Sequence, residues 1–374
     1  MAYQHWSYDT LSALSRDAFI KMGFSPEEAG IITDVLLCSD LHGIESHGIQ
    51  RLYRYYKGIR SGMIRPEAAP EIIFETPVSA VIDGHDGMGQ LIAHKAMNLA
   101  IEKAARSGIG MVTVRNSNHY GIAGYYAKMA CDRGFLGMSC TNTNPITVPT
   151  NGRAAMLGTN PIAVAMPADP VDFLFDASTS VVTRGKLEVY NKMGKPMPEG
   201  WAVDGTGHPT TDASVVLGNI ASHGGGGIMP LGGAYEETGG HKGYGFAMLC
   251  EIFSSVLSMG TPSSSTGAGG RGLICHGFAA IDPSVFGDAE AIRAHFSDYL
   301  EKLRTSALAE GAERIYTHGE KEAEAEQQLL RDGIPVADNT MREILEICEG
   351  LSLPFREYFG SYIPPVTDFK GNFY

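Results

Sequence analysis

The middle of this chain alternates two kinds of apolar pattern: short runs of strand length, and longer stretches in which apolar residues recur at helical spacing. Sequences that alternate in this way fold as a sheet covered by helices, because each helix buries its apolar face on the strands. The predicted strands are residues 80–83, 110–115, 136–140, 162–166, 173–176 and 274–281, and the predicted helices are residues 90–106, 242–259 and 288–308. We therefore predict an α/β or α+β fold with a buried sheet.

Both ends of the chain are predicted to be helical. Apolar residues recur at helical spacing between residues 8 and 57, and Ser25-Pro26-Glu27-Glu28 is typical of a capped helix start with proline in its first turn. Residues 321–351 are predicted to form a charged helical tail, interrupted at Gly333-Ile334-Pro335. Residues 190–233 show little period of either kind, but they contain enough apolar residues to form a long ordered excursion.

Charge and cysteine content limit the class of protein. The 29 basic and 42 acidic residues give a formal net charge of −13, which argues against nucleic acid or an anionic membrane surface as a partner. The six cysteines form no CxxC pair and are expected to be buried thiols in a reducing compartment. Residues 1–9 lack a signal-like apolar run, and no segment approaches the roughly 20 apolar residues of a spanning helix. We expect a cytoplasmic protein that acts on a small molecule.

Residues 39–52 contain the densest group of chemically active side chains. Histidine exchanges a proton near neutral pH, and arginine binds a carboxylate through two parallel hydrogen bonds. His47 and Arg51 are four residues apart and would share one face of a helix. This arrangement suits the binding and protonation of one small acid. The alternative interpretation is a polar helix end with a capping serine.

A different class of enzyme is also compatible with this segment. Asp40, His42, Glu45 and His47 could bind zinc or manganese, as in a metal-dependent hydrolase or lyase. The two histidines are five residues apart, however, and a regular helix would not direct both at one ion. A binding protein without catalytic activity would leave the paired histidines unexplained.

The usual glycine-rich dinucleotide fingerprint does not occur in the structural context that it needs. Its one literal match, residues 267–272, lies in a Ser/Gly-rich loop at 262–272 that we expect to be mobile. This match follows a helix and precedes a strand, whereas the phosphate-binding turn must follow a strand and open a helix. Residues 236–245 are a better anion site, because their glycines allow close backbone approach, a helix begins there and Lys242 adds a charge. The alternative is a glycine-bent helix start with Lys242 in solvent.

Three further segments carry polar groups near predicted strand ends. Residues 115–121 follow a strand, where open α/β sheets place ligands, and they include His119, which could instead be a buried structural histidine. Asn160 could orient a carboxamide or a diol, although Asn-Pro turns are frequent. Residues 175–180 could bind ribose or phosphate oxygens, or cap the next helix.

Taken in order, these segments resemble the malate/L-lactate dehydrogenase family that is unrelated to the Rossmann-type lactate and malate dehydrogenases. This family also includes sulfolactate, ureidoglycolate and diketogulonate oxidoreductases. The resemblance extends from about residue 8 to residue 354. Its most specific segments are residues 39–52, 115–126, 158–167, 176–186, 200–212, 239–245 and 318–320.

The resemblance implies an oxidoreductase that uses NAD or NADP to interconvert a small 2-hydroxy acid and its 2-oxo acid. It implies a mixed sheet flanked by helices, and a homodimer with the active site at the subunit interface. The implied regions are a helical substrate and dimerisation region at 1–75, a nucleotide-binding region at 76–320 and a helical segment at 321–374 that packs with the first. Malate or lactate is the default substrate, and ureidoglycolate, sulfolactate or a cyclic imino acid are alternatives within the family.

The resemblance also assigns roles to individual residues, and it implies no metal. His47 matches the acid/base histidine of some members and His119 that of others, while Ser46, Arg51 and Tyr120 are the predicted substrate contacts. The predicted nucleotide contacts are Ser139, Asn160, Asp176, Ala177, Ser178, Thr179, Ser180, His241, Lys242, His318, Gly319 and Glu320. This chain departs from the family at residues 318–320, where relatives often read Pro-Gly-Glu, and in the glycine-rich residues 218–227, which look longer than usual.

Overall fold

The computed structural model describes residues 3–365. No helix within this range is both long and apolar enough to cross a membrane. Its helices are α1 (Tyr8–Lys21), α2 (Pro26–Leu41), α3 (Leu52–Arg60), α4 (Gly89–Ser107), α5 (Ala123–Cys131), α6 (Arg184–Met193), α7 (Ala213–Ser222), α8 (Gly240–Glu251), α9 (Ala289–Arg304), α10 (Glu320–Asp332), α11 (Asp338–Leu351) and α12 (Phe355–Phe359).

Within residues 3–365 the strands form three separate sheets. They are β1 (Tyr3–Trp6), β2 (Glu71–Glu75), β3 (Ser79–Asp83), β4 (Ile109–Ser117), β5 (Leu136–Thr141), β6 (Ile162–Met166), β7 (Phe173–Ala177), β8 (Ala202–Val203), β9 (Pro209–Thr210), β10 (Gly227–Ile228), β11 (Ile274–Ile281) and β12 (Ile334–Ala337). The chain divides into two compact units, Met1–Glu67 with His318–Tyr374, and Ala68–Thr317. The predicted functional regions at 1–75, 76–320 and 321–374 stay a prediction.

The first unit joins both ends of the chain, which confirms that the N-terminal helices pack with the C-terminal helices. The predicted helix start at Pro26 is confirmed, because the Ser25 hydroxyl accepts from the Glu28 N–H and the Glu28 carboxylate accepts from the Ser25 N–H. The interruption predicted in the helical tail is strand β12, which pairs antiparallel with β1. Neither strand was predicted as such, since each finds its partner only at the other end of the sequence.

The second unit is built on a seven-stranded sheet with the order β2-β3-β4-β11-β5-β6-β7. Only β3 and β4 are parallel, and the other neighbours are antiparallel. Helix α4 packs on β4 and β11, and helix α5 packs on β5 and β6. The predicted mixed sheet with flanking helices is therefore confirmed. Strand β2 was not predicted, and its residues are all exposed at the sheet edge.

The second unit also contains a small subdomain with its own apolar cluster. Helices α6 and α7 pack together beside the short sheet β10-β8-β9. The prediction that residues 190–233 are ordered around buried apolar side chains is confirmed, but it missed both helices. Helix α7 contains two adjacent valines and Gly218, which weaken intrinsic helix propensity, so burial of Ala213, Val216 and Ile220 stabilises it. The predicted long helix from residue 242 ends as α8 at Glu251 and continues as a π-helical turn over Ile252–Val256.

Candidate active site

The segment that carries His47 and Arg51 is a compact pair of turns in the first unit. Helix α2 ends at Leu41, and two 3-10 turns follow at Glu45–His47 and Ile49–Arg51, on either side of Gly48. The backbone from His47 to Arg51 is therefore not the regular helix that would place both side chains on one face. The Ser46 hydroxyl lies 2.9 Å from His47 Nδ1, and Arg51 Nε donates to the Ser46 carbonyl over 2.6 Å. Ser46 thus contacts both the predicted acid/base and the predicted carboxylate ligand.

Asp40 anchors this pair of turns from the end of α2. Its Oδ2 accepts a 2.6 Å hydrogen bond from the Ile49 N–H, and the side chain is 4% exposed. A Cβ atom on Gly48 would lie only 1.8 Å from Asp40 Oδ1, so only glycine fits between His47 and Ile49. Burial raises the pKa of Asp40 well above its ordinary value. The contact fixes the backbone between His47 and Arg51.

The electrostatic surroundings of His47 favour the neutral imidazole. Burial, together with the positive charges of Arg51 and Arg54, lowers the pKa of His47 to about 3. At neutral pH the ring is therefore unprotonated in the unliganded protein, and with so low a pKa it is only a weak base. An anion bound to Arg51 would cancel part of the positive charge and raise the pKa of His47. The turn can therefore couple binding of an acid to proton transfer.

The metal-site interpretation of this segment finds no support in the geometry. Within residues 3–365, no three His, Cys, Asp or Glu side chains are grouped so that they could hold a metal ion. Asp40, one of the four proposed ligands, instead directs its carboxylate at the Ile49 N–H. His42 is the C-cap of α2, and its ring lies 3.7 Å from the Cys38 sulfur.

His119 lies in the second unit, beyond the end of β4. Asn118 fixes the turn before it, because its Nδ2 donates to the carbonyls of Asp86 and Gly87, both at 3.0 Å. The Gly121 N–H donates to His119 Nδ1 over 3.4 Å, and the imidazole is partly buried. A Cβ on Gly89 would meet the His119 carbonyl at 2.3 Å, so the start of α4 packs directly on this backbone. His119 thus sits on a turn that follows β4 and packs against the start of α4.

Two predicted contacts, Tyr120 and Ser139, lie in the core of the second unit. Tyr120 is 2% exposed, its ring stacks between Tyr126 at 4.8 Å and His276 at 4.3 Å, and its hydroxyl lies 3.2 Å from Ser139 Oγ. Burial raises the pKa of the Tyr120 hydroxyl well above its usual value. The structure gives Tyr120 and Ser139 a packing role beside His119, and their contacts with substrate and nucleotide stay predictions.

His276 supports the same region and was not identified from the sequence. It is completely buried in β11, with Nδ1 2.8 Å from Thr141 Oγ1 and Nε2 2.9 Å from Ser117 Oγ. Burial lowers the pKa of His276 to about 3, so the ring is neutral. A single histidine in an apolar strand carries no sequence signal, because its partners come from two other strands.

The predicted anion site forms the N-terminus of helix α8. Gly239 precedes the helix with a φ of 89°, and no side chain caps the first turn. A Cβ on Gly240 would meet the Gly233 carbonyl at 2.0 Å, so this helix start packs closely on the preceding chain. His241 and Lys242 are exposed in the first turn. An uncapped helix start with an exposed ammonium group fits the phosphates of a nicotinamide nucleotide.

The polar residues after β7 are largely engaged within the protein. Asp176 Oδ2 accepts from the Gly124 N–H at 2.6 Å and so serves the first turn of α5. Thr179 donates its hydroxyl to the carbonyls of Thr159 and Asn160. Ser178 and Ser180 bond to carbonyls two residues further on. With Ala177 in the last position of β7, this segment is a rigid edge whose nucleotide contacts stay a prediction.

Asn160 also has its side chain fully engaged. Its Oδ1 accepts from the Thr143 N–H and the Ser263 hydroxyl, and its Nδ2 donates to the Ala247 carbonyl and the Glu251 carboxylate. These four hydrogen bonds use the whole capacity of a carboxamide. In this conformation the Asn160 side chain acts as a structural support.

The third predicted nucleotide segment opens helix α10 in the first unit. Gly319 is the N-cap with a φ of 102°, and Glu320 is the first helical residue and is 7% exposed. An acidic residue in the first helical turn is favourable for the helix dipole. The predicted roles of His318, Gly319 and Glu320 in nucleotide binding are untested.

Known proteins match this chain over almost its whole length. A family model described as malate/L-lactate dehydrogenase matches residues 6–345. The malate dehydrogenase of Pyrococcus abyssi is 45% identical over 87% of this chain and 89% of its own. The L-sulfolactate dehydrogenase of Methanocaldococcus jannaschii is 38% identical over 91% of this chain and 96% of its own. The crystal structure of malate dehydrogenase from Entamoeba histolytica has a TM-score of 0.90 at 36% identity, covering 94% of this chain and 99% of that one.

Proposed function

This chain belongs to the malate/L-lactate dehydrogenase family and is a nicotinamide-dependent 2-hydroxy acid dehydrogenase, and within that class we propose that malate and oxaloacetate are its substrates. The observation that carries this choice is the pair of guanidinium groups beside His47. Arg51 and Arg54 both lie close enough to lower the pKa of His47. Two cations suit an acid with two negative groups, whereas lactate has only one. The relatives named malate dehydrogenase support the same choice.

In the proposed mechanism, the residues of the turn bind the acid and move one proton. Arg51 holds the 2-carboxylate through its planar fork, and His47 accepts the proton of the 2-hydroxyl group during oxidation. In the reverse direction His47 returns this proton to the 2-oxygen. The bound nicotinamide supplies the hydride chemistry. Asp40 and Gly48 hold the turn so that the base and the carboxylate ligand keep their spacing.

We assign His241 and Lys242 to the nucleotide phosphates. Residues 176–180, which include Ser178, are further nucleotide contacts in this proposal. The exposed ammonium of Lys242 and the uncapped first turn of α8 support this assignment. A comparison of activity with NADH and with NADPH decides between NAD and NADP as the nucleotide.

Sulfolactate is the second candidate substrate. Its sulfonate and carboxylate are also two negative groups, and it would meet Arg51 and Arg54 in the same way. A relative at 38% identity is named L-sulfolactate dehydrogenase.

The substrate assignment is tested by following nucleotide absorbance with NADH and with NADPH against a panel of oxo acids. The panel contains oxaloacetate, sulfopyruvate, pyruvate, phenylpyruvate, diketogulonate and a cyclic imino acid. We expect the highest kcat/KM with oxaloacetate and a value at least about tenfold lower with pyruvate, because pyruvate lacks the second carboxylate that the two guanidinium groups would attract. Pyruvate turnover as efficient as that of oxaloacetate would contradict the dicarboxylate assignment.

We further propose that the enzyme is a homodimer through an apolar face on α8 and the π-helical turn. Phe246, Leu249, Ile252 and Val256 are each between 40% and 55% exposed. A contiguous group of large exposed apolar side chains is typical of a surface that another chain covers. The six cysteines form no disulfide within residues 3–365, which supports the further proposal of a reducing, cytoplasmic location.

A charge placed on this face is expected to break the dimer. Leu249→Asp should shift the protein from dimer to monomer in light scattering, since the carboxylate would have to be desolvated in the interface. Phe286→Asp is the matched control, because Phe286 is 75% exposed on a different element and should leave the dimer intact. A Leu249→Asp protein that stays dimeric excludes this face as the interface.

A further inference from the structure

Glu251, the last residue of α8, is a buried carboxylate surrounded by neutral donors. It is 4% exposed, and no lysine, arginine or histidine among residues 3–365 is within ion-pair distance of it. Its Oε1 accepts from Asn160 Nδ2 at 3.0 Å and from the Ser263 N–H at 3.2 Å. Its Oε2 accepts from Ser255 Oγ at 2.5 Å and from Asn142 Nδ2 at 3.4 Å. One carboxylate thus joins four separate points of the chain.

This placement of Glu251 is unfavourable for stability alone. A buried carboxylate without a cation is costly to desolvate. The helix continues directly into the π-helical turn Ile252–Val256, a type of distortion that is frequent at functional sites. These features indicate that Glu251 has a role other than stabilising the fold.

The most constrained partner of Glu251 is Asn160. Its backbone has a φ of 34°, which is uncommon for a residue with a side chain, and Glu251 supplies one of the four hydrogen bonds that hold its amide. The carbonyls of Thr159 and Asn160 in turn accept from Thr179, whose N–H and hydroxyl both point at them. A continuous chain of contacts therefore runs from Glu251 through Asn160 to Thr179.

A second set of contacts runs from Glu251 to the start of β11 and to the chain that precedes it. Asn142 donates to Glu251 and to the Thr261 carbonyl, and its Oδ1 accepts from the Cys275 N–H at 2.8 Å. Ser263 reaches both Glu251 and Asn160. Both sets of contacts start at the end of α8, whose first turn carries Lys242.

We propose that Glu251 is a positioning residue for nucleotide binding. It holds Asn160, and through Asn160 it holds residues 176–180, which include Thr179, in the conformation that receives the nucleotide. The inference rests on the proposed function, because it takes residues 176–180 as nucleotide contacts. It assigns Asn160 a supporting role instead of a direct contact, in agreement with its saturated amide.

The test is Glu251→Gln in the full-length enzyme, with NADH binding followed by fluorescence titration in the absence of oxo acid. The glutamine amide keeps a single acceptor oxygen. Its NH2 group therefore faces the N–H donors of Asn160 and Ser263 in one orientation and the Asn142 Nδ2 donor in the other, so either orientation breaks one of the two sets of contacts. We expect the Kd for the nucleotide to rise about tenfold, while KM for the oxo acid at saturating nucleotide changes less than about twofold. Ser254→Ala is the control, because Ser254 is buried in the same turn but donates to the Cys250 carbonyl.

A Glu251→Gln protein with a lowered Tm and a nucleotide Kd within about twofold of the wild-type value would overturn the proposal and leave Glu251 a purely structural residue. If this variant does not fold, Ser255→Ala replaces it, since the Ser255 hydroxyl is a direct partner of the carboxylate. Ser255→Ala should then weaken nucleotide binding more than Ser254→Ala, and equal affinities would overturn the proposal. Failure of the wild-type protein to bind either nucleotide would instead contradict the proposed function.

Discussion

His47→Ala lowers kcat for malate oxidation by about 100- to 10,000-fold and leaves nucleotide affinity nearly unchanged, because a positioned acid/base group contributes that much to proton transfer. Steady-state kinetics in both directions, with nucleotide binding measured separately, check this result. His119→Ala is the comparison variant, since His119 is the other candidate for the same role. Full activity in His47→Ala together with a large loss in His119→Ala would transfer the acid/base role to His119.

The pH dependence of the wild-type enzyme follows from the same residue. A base whose pKa is lowered to about 3 is already deprotonated at neutral pH, and its capacity to accept a proton is lost only as the pH falls through that value. The profile of kcat/KM for malate oxidation should therefore show no decline caused by His47 between roughly pH 5 and 8. An inflection near pH 6.5 that disappears in His47→Ala would show that this histidine titrates normally in the free enzyme.

Arg51→Lys raises KM for malate by about 10- to 100-fold with a smaller change in kcat, because a point charge cannot replace the two-pronged contact with the carboxylate. The lysine also loses the Nε donor that holds the Ser46 carbonyl, so the His47 turn loses one of its supports. Arg60→Lys is a matched control on the following helix, where the guanidinium contacts the Tyr56 hydroxyl. An unchanged KM for malate in Arg51→Lys would remove Arg51 from the substrate site.

Local signals predicted the elements of the fold well. The Ser25 and Glu28 capping box, the strands of the central sheet and the helix from residue 242 follow from spacing and capping chemistry between near neighbours. The pairing of β1 with β12 does not, because each strand has four residues and its partner lies at the far end of the chain. The edge strand β2 was missed because its residues are exposed throughout, so it lacks the alternation of a half-buried strand.

The candidate site was predictable as a set of residues but not as a set of contacts. His47 and Arg51 stand out by chemical type, but the 3-10 turns that hold them depend on Asp40, which binds a backbone N–H nine positions away, and on a glycine that leaves room for it. The sequence likewise cannot show that the Asn160 amide is saturated by four groups, one of them Glu251. Such roles depend on tertiary contacts and have no local pattern.

The most direct test of this account is a crystal structure of the enzyme with reduced nucleotide and a non-reactive analogue of oxaloacetate. We expect the 2-carboxylate of the analogue on the Arg51 guanidinium, the 2-oxygen within about 3.2 Å of a His47 ring nitrogen and the nucleotide phosphates at the first turn of α8 beside Lys242. An analogue bound away from Arg51, with His47 facing a crevice that holds no nucleotide, would contradict the account.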